Sequence, residues 1–168
     1  MPMTYLKTAL PVVVLIAALV CVSVAFAKGE AGERASEVST RVQLLLNVAD
    51  RDQGIGEEVR VIAHEYASSS ERMEEVRAEV ESRPTWRVLL LGSDYRNLGK
   101  LRSEIVTTEN QIDRLEKARD RATDPAIKAD LTAQITALED SASTTMVFVK
   151  ENESKFSLFG WLVRLFAD

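Results

Sequence analysis

The sequence predicts an all-α protein, and three observations carry the prediction. Beyond the first segment, which holds Pro2 and Pro11, only Pro84 and Pro125 interrupt the chain of 168 residues. The stretches between them are rich in Ala, Glu, Arg, Leu and Val, and their apolar side chains recur at the steps of three, four and seven that mark one helix face. Aromatic residues make up 6% of the chain, too few for an all-β core. The expected order is an export or transmembrane helix over 1–27, a helical coiled-coil or bundle domain over 28–153, and a short apolar docking helix over 154–168.

Residues 9–27 read ALPVVVLIAALVCVSVAFA, with Lys7 before them and Lys28 after. A bilayer core of ~30 Å needs about 20 apolar residues as helix, so this uncharged run is just long enough to span. Ala25-Phe26-Ala27 is also a fair small-x-small cleavage site behind a basic residue. A cleaved signal and a retained anchor both remain open, and either takes the body of the protein out of the cytoplasm, into a bacterial envelope. The single cysteine, Cys21, lies inside this run, so no intrachain disulfide can form. Val20 before it is not the small residue that a lipoprotein signal needs.

From Val38 an apolar stripe runs through Leu45, Val48, Ile55, Val59, Ile62, Tyr66, Met73, Val76 and Val80. Glu71, Arg72, Glu74, Glu75, Arg77, Glu79 and Arg83 form the solvated side, with Glu74–Arg77 and Glu79–Arg83 at helical pairing distances. Gly54 and Gly56 would cost about 2 kcal/mol inside a helix. Because Ile55 keeps the stripe in phase, the pattern favours one continuous or kinked helix there, with a turn as the alternative. Pro84 ends the helix near Ser82-Arg83. Trp86–Leu91 is then a short apolar piece closed by Gly92.

Asp94 is placed to cap the next helix, whose stripe is Leu98, Leu101, Ile105, Thr108, Ile112, Leu115 and Ala122. Thr123-Asp124-Pro125 supplies a cap and a proline at the first helical position. The last stripe is Leu131, Ile135, Leu138, Ala142, Thr145 and Val149. Two helices of about 28 residues with almost no loop predict an antiparallel hairpin with coiled-coil-like packing. If the chain also turns at Gly54–Gly56, four helices run up, down, up and down.

After Lys155 come Phe156, Leu158, Phe159, Trp161, Leu162, Val163, Leu165 and Phe166, with Ser157, Gly160, Arg164 and Asp168 on one narrow side. Eleven helical residues reach only about 16 Å, so this segment cannot span a bilayer. It must dock, on a membrane interface, on the chain's own Trp86–Leu91 piece, or on a partner. These eight side chains are the predicted docking residues.

The chemistry-bearing residues form no recognisable constellation. His64 is the only histidine and Val61 stands where a Glu-x-x-His motif would need glutamate, so metal ligands are too few. Ser68-Ser69-Ser70 lacks the strand-turn-helix elbow that activates a serine and reads as a polar patch. Gly54-x-Gly56 follows no strand and is too short to cradle phosphate. All 26 acidic residues but only 20 of the 21 basic ones follow Ala27, so no basic excess exists to track nucleic acid. No catalytic residue, cofactor, metal or small-molecule substrate is expected.

At QGIGEEVRVIA (Gln53–Ala63), LLGSDYRNLGKLRSE (Leu90–Glu104) and KFSLFGWLVRLF (Lys155–Phe166), the chain resembles a group of small exported helical bacterial proteins to which no activity is attached. The resemblance implies export and a helical body, with no catalytic residues to carry over. The expectation is therefore an exported or membrane-anchored envelope protein acting as a structural or protein-interaction module, able to form homo-oligomers through its helix stripes. Two alternatives stand beside it: a membrane-binding or membrane-perturbing protein of phage or stress type acting through its C-terminal helix, and a ligand-sensing or chaperone-like bundle with an apolar groove.

Overall fold

The computed structural model describes residues 29–154, which form five helices and no strand. They are α1 (29–51), α2 (Gly56–Glu81), α3 (Thr85–Leu91), α4 (Tyr95–Arg121) and α5 (Pro125–Glu153). Of the described residues, 29–38 belong to one unit and 39–154 to another. In the first, the described stretch is helical and Arg34 pairs with Glu30 one turn earlier at 3.8 Å.

The second unit is an antiparallel bundle, and its polar ties give the order of the helices. Arg121 of α4 pairs with Glu58 at the start of α2, Arg114 with Glu65 further along, and Lys100 with Glu79 near the far end, at 4.0 Å. Residue numbers that rise along α4 thus fall along α2. Arg102 meets Glu153 at 2.6 Å, so the start of α4 lies beside the end of α5. From α1, Arg51 pairs with Asp130 of α5, Asp50 accepts from Arg60 of α2 at 2.8 Å, and Arg41 donates to the Tyr66 hydroxyl at 3.4 Å. Residues 39–51, α2, α4 and α5 therefore run up, down, up and down.

The apolar stripes face one another within this single chain. Leu45, Val48, Ile55, Val59, Ile62 and Tyr66 are buried, as are Leu115, Ile127, Leu131 and Leu138. Toward the other end Met73, Val76, Val80, Leu98, Leu101, Ile105 and Val149 form one cluster, with Met146 and Phe148 packed against it. Ala142 and Thr145 are only half-buried. Truncating a fully buried member such as Leu101 to alanine would cost about 2–5 kcal/mol.

The continuous first helix does not form. The chain leaves α1 at residue 51 and re-enters helix at Gly56. Asp52 drives the turn: its Oδ1 accepts from the backbone N–H of Gly54 at 2.8 Å and of Ile55 at 3.3 Å, a side-chain turn that competes with helix. Gly56 then passes so close to α1 that an added Cβ would lie 2.2 Å from the Ala49 carbonyl oxygen. Ile55 is buried as the residue just before α2, which is why the stripe stayed in phase across a real break.

The other boundaries follow the sequence. Asp94 caps α4 by accepting from the Asn97 N–H at 3.3 Å. Asp124 caps α5 by accepting from the Ala126 N–H at 2.8 Å, with Pro125 in the first turn. α3 stops at Gly92, whose φ of 86° and ψ of −168° suit glycine alone. The predicted Glu79–Arg83 pair is replaced: Arg83 reaches forward to Asp94 at 3.3 Å, and Arg77 pairs with Glu81 at 2.9 Å. Arg83, just past the end of α2, finds in Asp94 a partner as little exposed as itself, whereas Arg77 keeps a local partner one turn on.

Candidate functional site

The residues singled out for docking, Phe156, Leu158, Phe159, Trp161, Leu162, Val163, Leu165 and Phe166, lie outside the described residues, as does the apolar run over 9–27. Among the described residues no helix is long and apolar enough to cross a membrane, and no cluster of three metal-ligating side chains occurs.

What the structure does show is the end of the bundle from which the chain enters 155–168. Ser93, between α3 and α4, is buried, and its hydroxyl donates to the Asn152 carbonyl at 2.5 Å. The end of α5 is thereby fixed beside the exit from α3. On the same side Arg77 lies over the Phe148 ring, 4.1 Å from its centre. A groove of about 460 Å³ opens there between Val80, Val88, Phe148 and Asn152.

No residue of α3 is buried, although its sequence is Thr-Trp-Arg-Val-Leu-Leu-Leu. Trp86 is 57% exposed, Leu89 48% and Leu91 65%, and Tyr95 at the head of α4 is 65% exposed. Covering a side chain of the Leu or Phe class is worth ~1.5–3 kcal/mol, so this projecting helix carries several kcal/mol of unspent apolar surface. The sequence marked Trp86–Leu91 as a short apolar piece and one of the places where the C-terminal segment could dock. Its apolar composition was visible, but the absence of any buried α3 side chain was not.

A second feature lies mid-bundle. Ser69, Ser70, Thr108, Gln111 and Gln134 are all buried, so the serines are not the surface patch that their composition implies. Glu104 collects Ser69 at 2.7 Å and both Nε and Nη2 of Arg72, at 2.8 and 2.9 Å. The Arg72 bonds hold the Glu104 carboxyl below its ordinary range against the opposing effect of burial, with the Ser69 bond helping; the guanidinium of Arg72 is raised by the same contact. Neither amide atom of Gln111 has a hydrogen-bond partner, nor do Ser70 Oγ and Gln134 Oε1.

His64 is exposed and lines a shallow groove of about 460 Å³ with Ser68, Arg72, Asn110, Gln111 and Arg114. The charged groups there are already paired, Arg72 with Glu104 and Arg114 with Glu65. A further groove between α4 and α5 mixes Ile105, Ile112 and Met146 with Glu109, Asp113 and Lys150. In the first groove the Ser68 hydroxyl donates to the backbone carbonyl of His64 at 3.1 Å rather than to its ring, so the α3 end is the stronger candidate, as a surface for contact.

No family model, no curated protein and no solved structure matches the chain.

Proposed function

We propose that this chain is a bacterial cell-envelope protein, exported across or anchored in the inner membrane, that works as a structural or interaction module without chemistry of its own. The observation that carries the reading is the unburied apolar helix α3, a surface that water disfavours on an otherwise well-packed bundle. The uncharged run over 9–27 supports it. Fractionation with and without a carbonate wash tests it, with a membrane or periplasmic product expected. A product found only in the cytosol ends the proposal. Mass spectrometry of the mature N-terminus separates a cleaved signal from an anchor.

A second reading has its own observation. The Ser93–Asn152 bond fixes the end of α5 beside the exit from α3, and in the sequence the strongly apolar stretch Phe156–Phe166 follows shortly after α5. On this reading that stretch binds membrane, and Trp161→Asp in a chain lacking 1–27 abolishes its vesicle binding. Unchanged binding removes it.

A further inference from the structure

We propose that α3 is a membrane contact in its own right, lying in the interface of a bilayer that contains anionic lipid; the inference rests on the envelope reading above. Seven helical residues reach about 10 Å, far too short to cross a bilayer but long enough to lie in its surface plane. Trp86, Leu89 and Leu91 of the helix and Tyr95 just beyond it are all about half or more exposed. An indole and a phenol beside aliphatic side chains suit the boundary between headgroups and acyl chains.

Charge selects lipid over the other occupants. Residues 77–102 hold six basic side chains against three acidic ones, in a chain whose formal net charge is −5. At the opposite end, residues 50–60 and 113–130 hold nine acidic against seven basic. Arg77, Arg83, Lys100 and Arg102 have carboxylate partners. Among the described residues Arg87 and Arg96 have none; Arg87 sits 5.3 Å from the centre of the Trp86 ring. Two cations left for an outside anion, next to an exposed indole, match a headgroup layer that attracts basic residues. A second copy is a poorer fit, because one seven-residue helix presents far less area than the 1,200–2,000 Å² buried by a stable interface, roughly.

The chain has two tryptophans, Trp86 and Trp161, so Trp161→Phe leaves Trp86 as the only reporter. The full-length variant is reconstituted into vesicles of phosphatidylethanolamine and phosphatidylglycerol whose acyl chains carry bromine near the glycerol. We expect Trp86 emission to shift to shorter wavelength and to fall roughly two-fold or more, as for an interfacial indole. Arg87→Glu with Arg96→Glu should weaken the contact by roughly five-fold per charge removed, and added salt should mimic them. Leu89→Asp should abolish quenching without changing the thermal midpoint, since no α3 residue is buried.

A chain that floats with the vesicles while Trp86 stays unquenched overturns the inference and leaves the envelope reading standing. If Trp86 is instead shielded until residues 155–168 are deleted, the tail is the occupant; if shielding depends on protein concentration, a second copy is. Either outcome also overturns it. A chain that never reaches the membrane fraction fails both.

Discussion

Glu104 of α4 receives a two-pronged ion pair from Arg72 of α2, with Nε to Oε1 at 2.8 Å and Nη2 to Oε2 at 2.9 Å. Ser69, one turn before Arg72, donates to the same carboxylate at 2.7 Å. Charge, fork geometry and a third donor coincide where α2 crosses α4, so the contact does more than an exposed surface pair would.

That contact sets an acid limb in stability. Glu104 titrates below its ordinary value of 4.5 in the folded protein, so the unfolded chain binds the proton first as pH falls. The stabilisation is complete above that ordinary value and is lost as pH drops through the lower, folded one. Arg72 is half exposed, which keeps the expected contribution to about 1 kcal/mol or less. Glu104→Gln should lower the thermal midpoint at pH 7 by about 2–4 °C and flatten its decline below pH ~4.5. Parallel acid limbs for parent and variant would show that the pair does not carry this dependence.

Two glycines should respond with opposite signs. A Cβ at Gly56 would meet the Ala49 carbonyl oxygen at 2.2 Å, and that backbone cannot yield as a side chain could. Gly56→Ala should therefore destabilise by about 2–3 kcal/mol. Gly99, inside α4, has nothing within 4 Å of the same added atom, and Gly99→Ala should stabilise by about 1 kcal/mol. Urea unfolding of both variants checks the pair. A neutral Gly56→Ala would mean that the close approach of α1 and α2 is not rigid.

The sequence was most legible where one residue sets the local geometry. Asp94, Asp124 and Pro125 marked the starts of α4 and α5, and the stripes from Leu98 to Ala122 and from Leu131 to Val149 identified the hairpin. It misled at Ile55, because a buried residue in a tight turn can keep the hydrophobic phase that a helix would have. Here the evidence for a turn lay in Asp52 and the two glycines, which the phase argument outweighed. The exposure of α3 and the burial of Ser69 and Ser70 were not legible. Both depend on how helices meet, and no periodicity within one helix encodes that.

Gln111 is 2% exposed, yet neither its Nε2 nor its Oε1 has a partner. An unsatisfied buried amide costs about 1–3 kcal/mol, and methionine has nearly its shape. Gln111→Met should raise the midpoint by a few degrees, which thermal melts followed by circular dichroism would show. A fall of similar size would mean that the amide is satisfied in solution by a buried water, as polar sites of this kind commonly are.

The last turn of α5 should depend on Ser93. Carbonyls at a helix C-terminus lack intrahelical donors, and the Ser93 hydroxyl supplies one to Asn152 at 2.5 Å and reaches Glu153 at 3.3 Å. Ser93→Ala removes that donor and leaves buried acceptors unmatched, for a loss of about 1 kcal/mol. Because the bond joins the exit of α3 to the end of α5, the effect should be local. Hydrogen exchange should quicken over residues 150–154 and the start of α4, while amides around Asp124 at the opposite end keep their protection. Uniform quickening would indicate plain destabilisation, and no change would show that the end of α5 is held by packing alone.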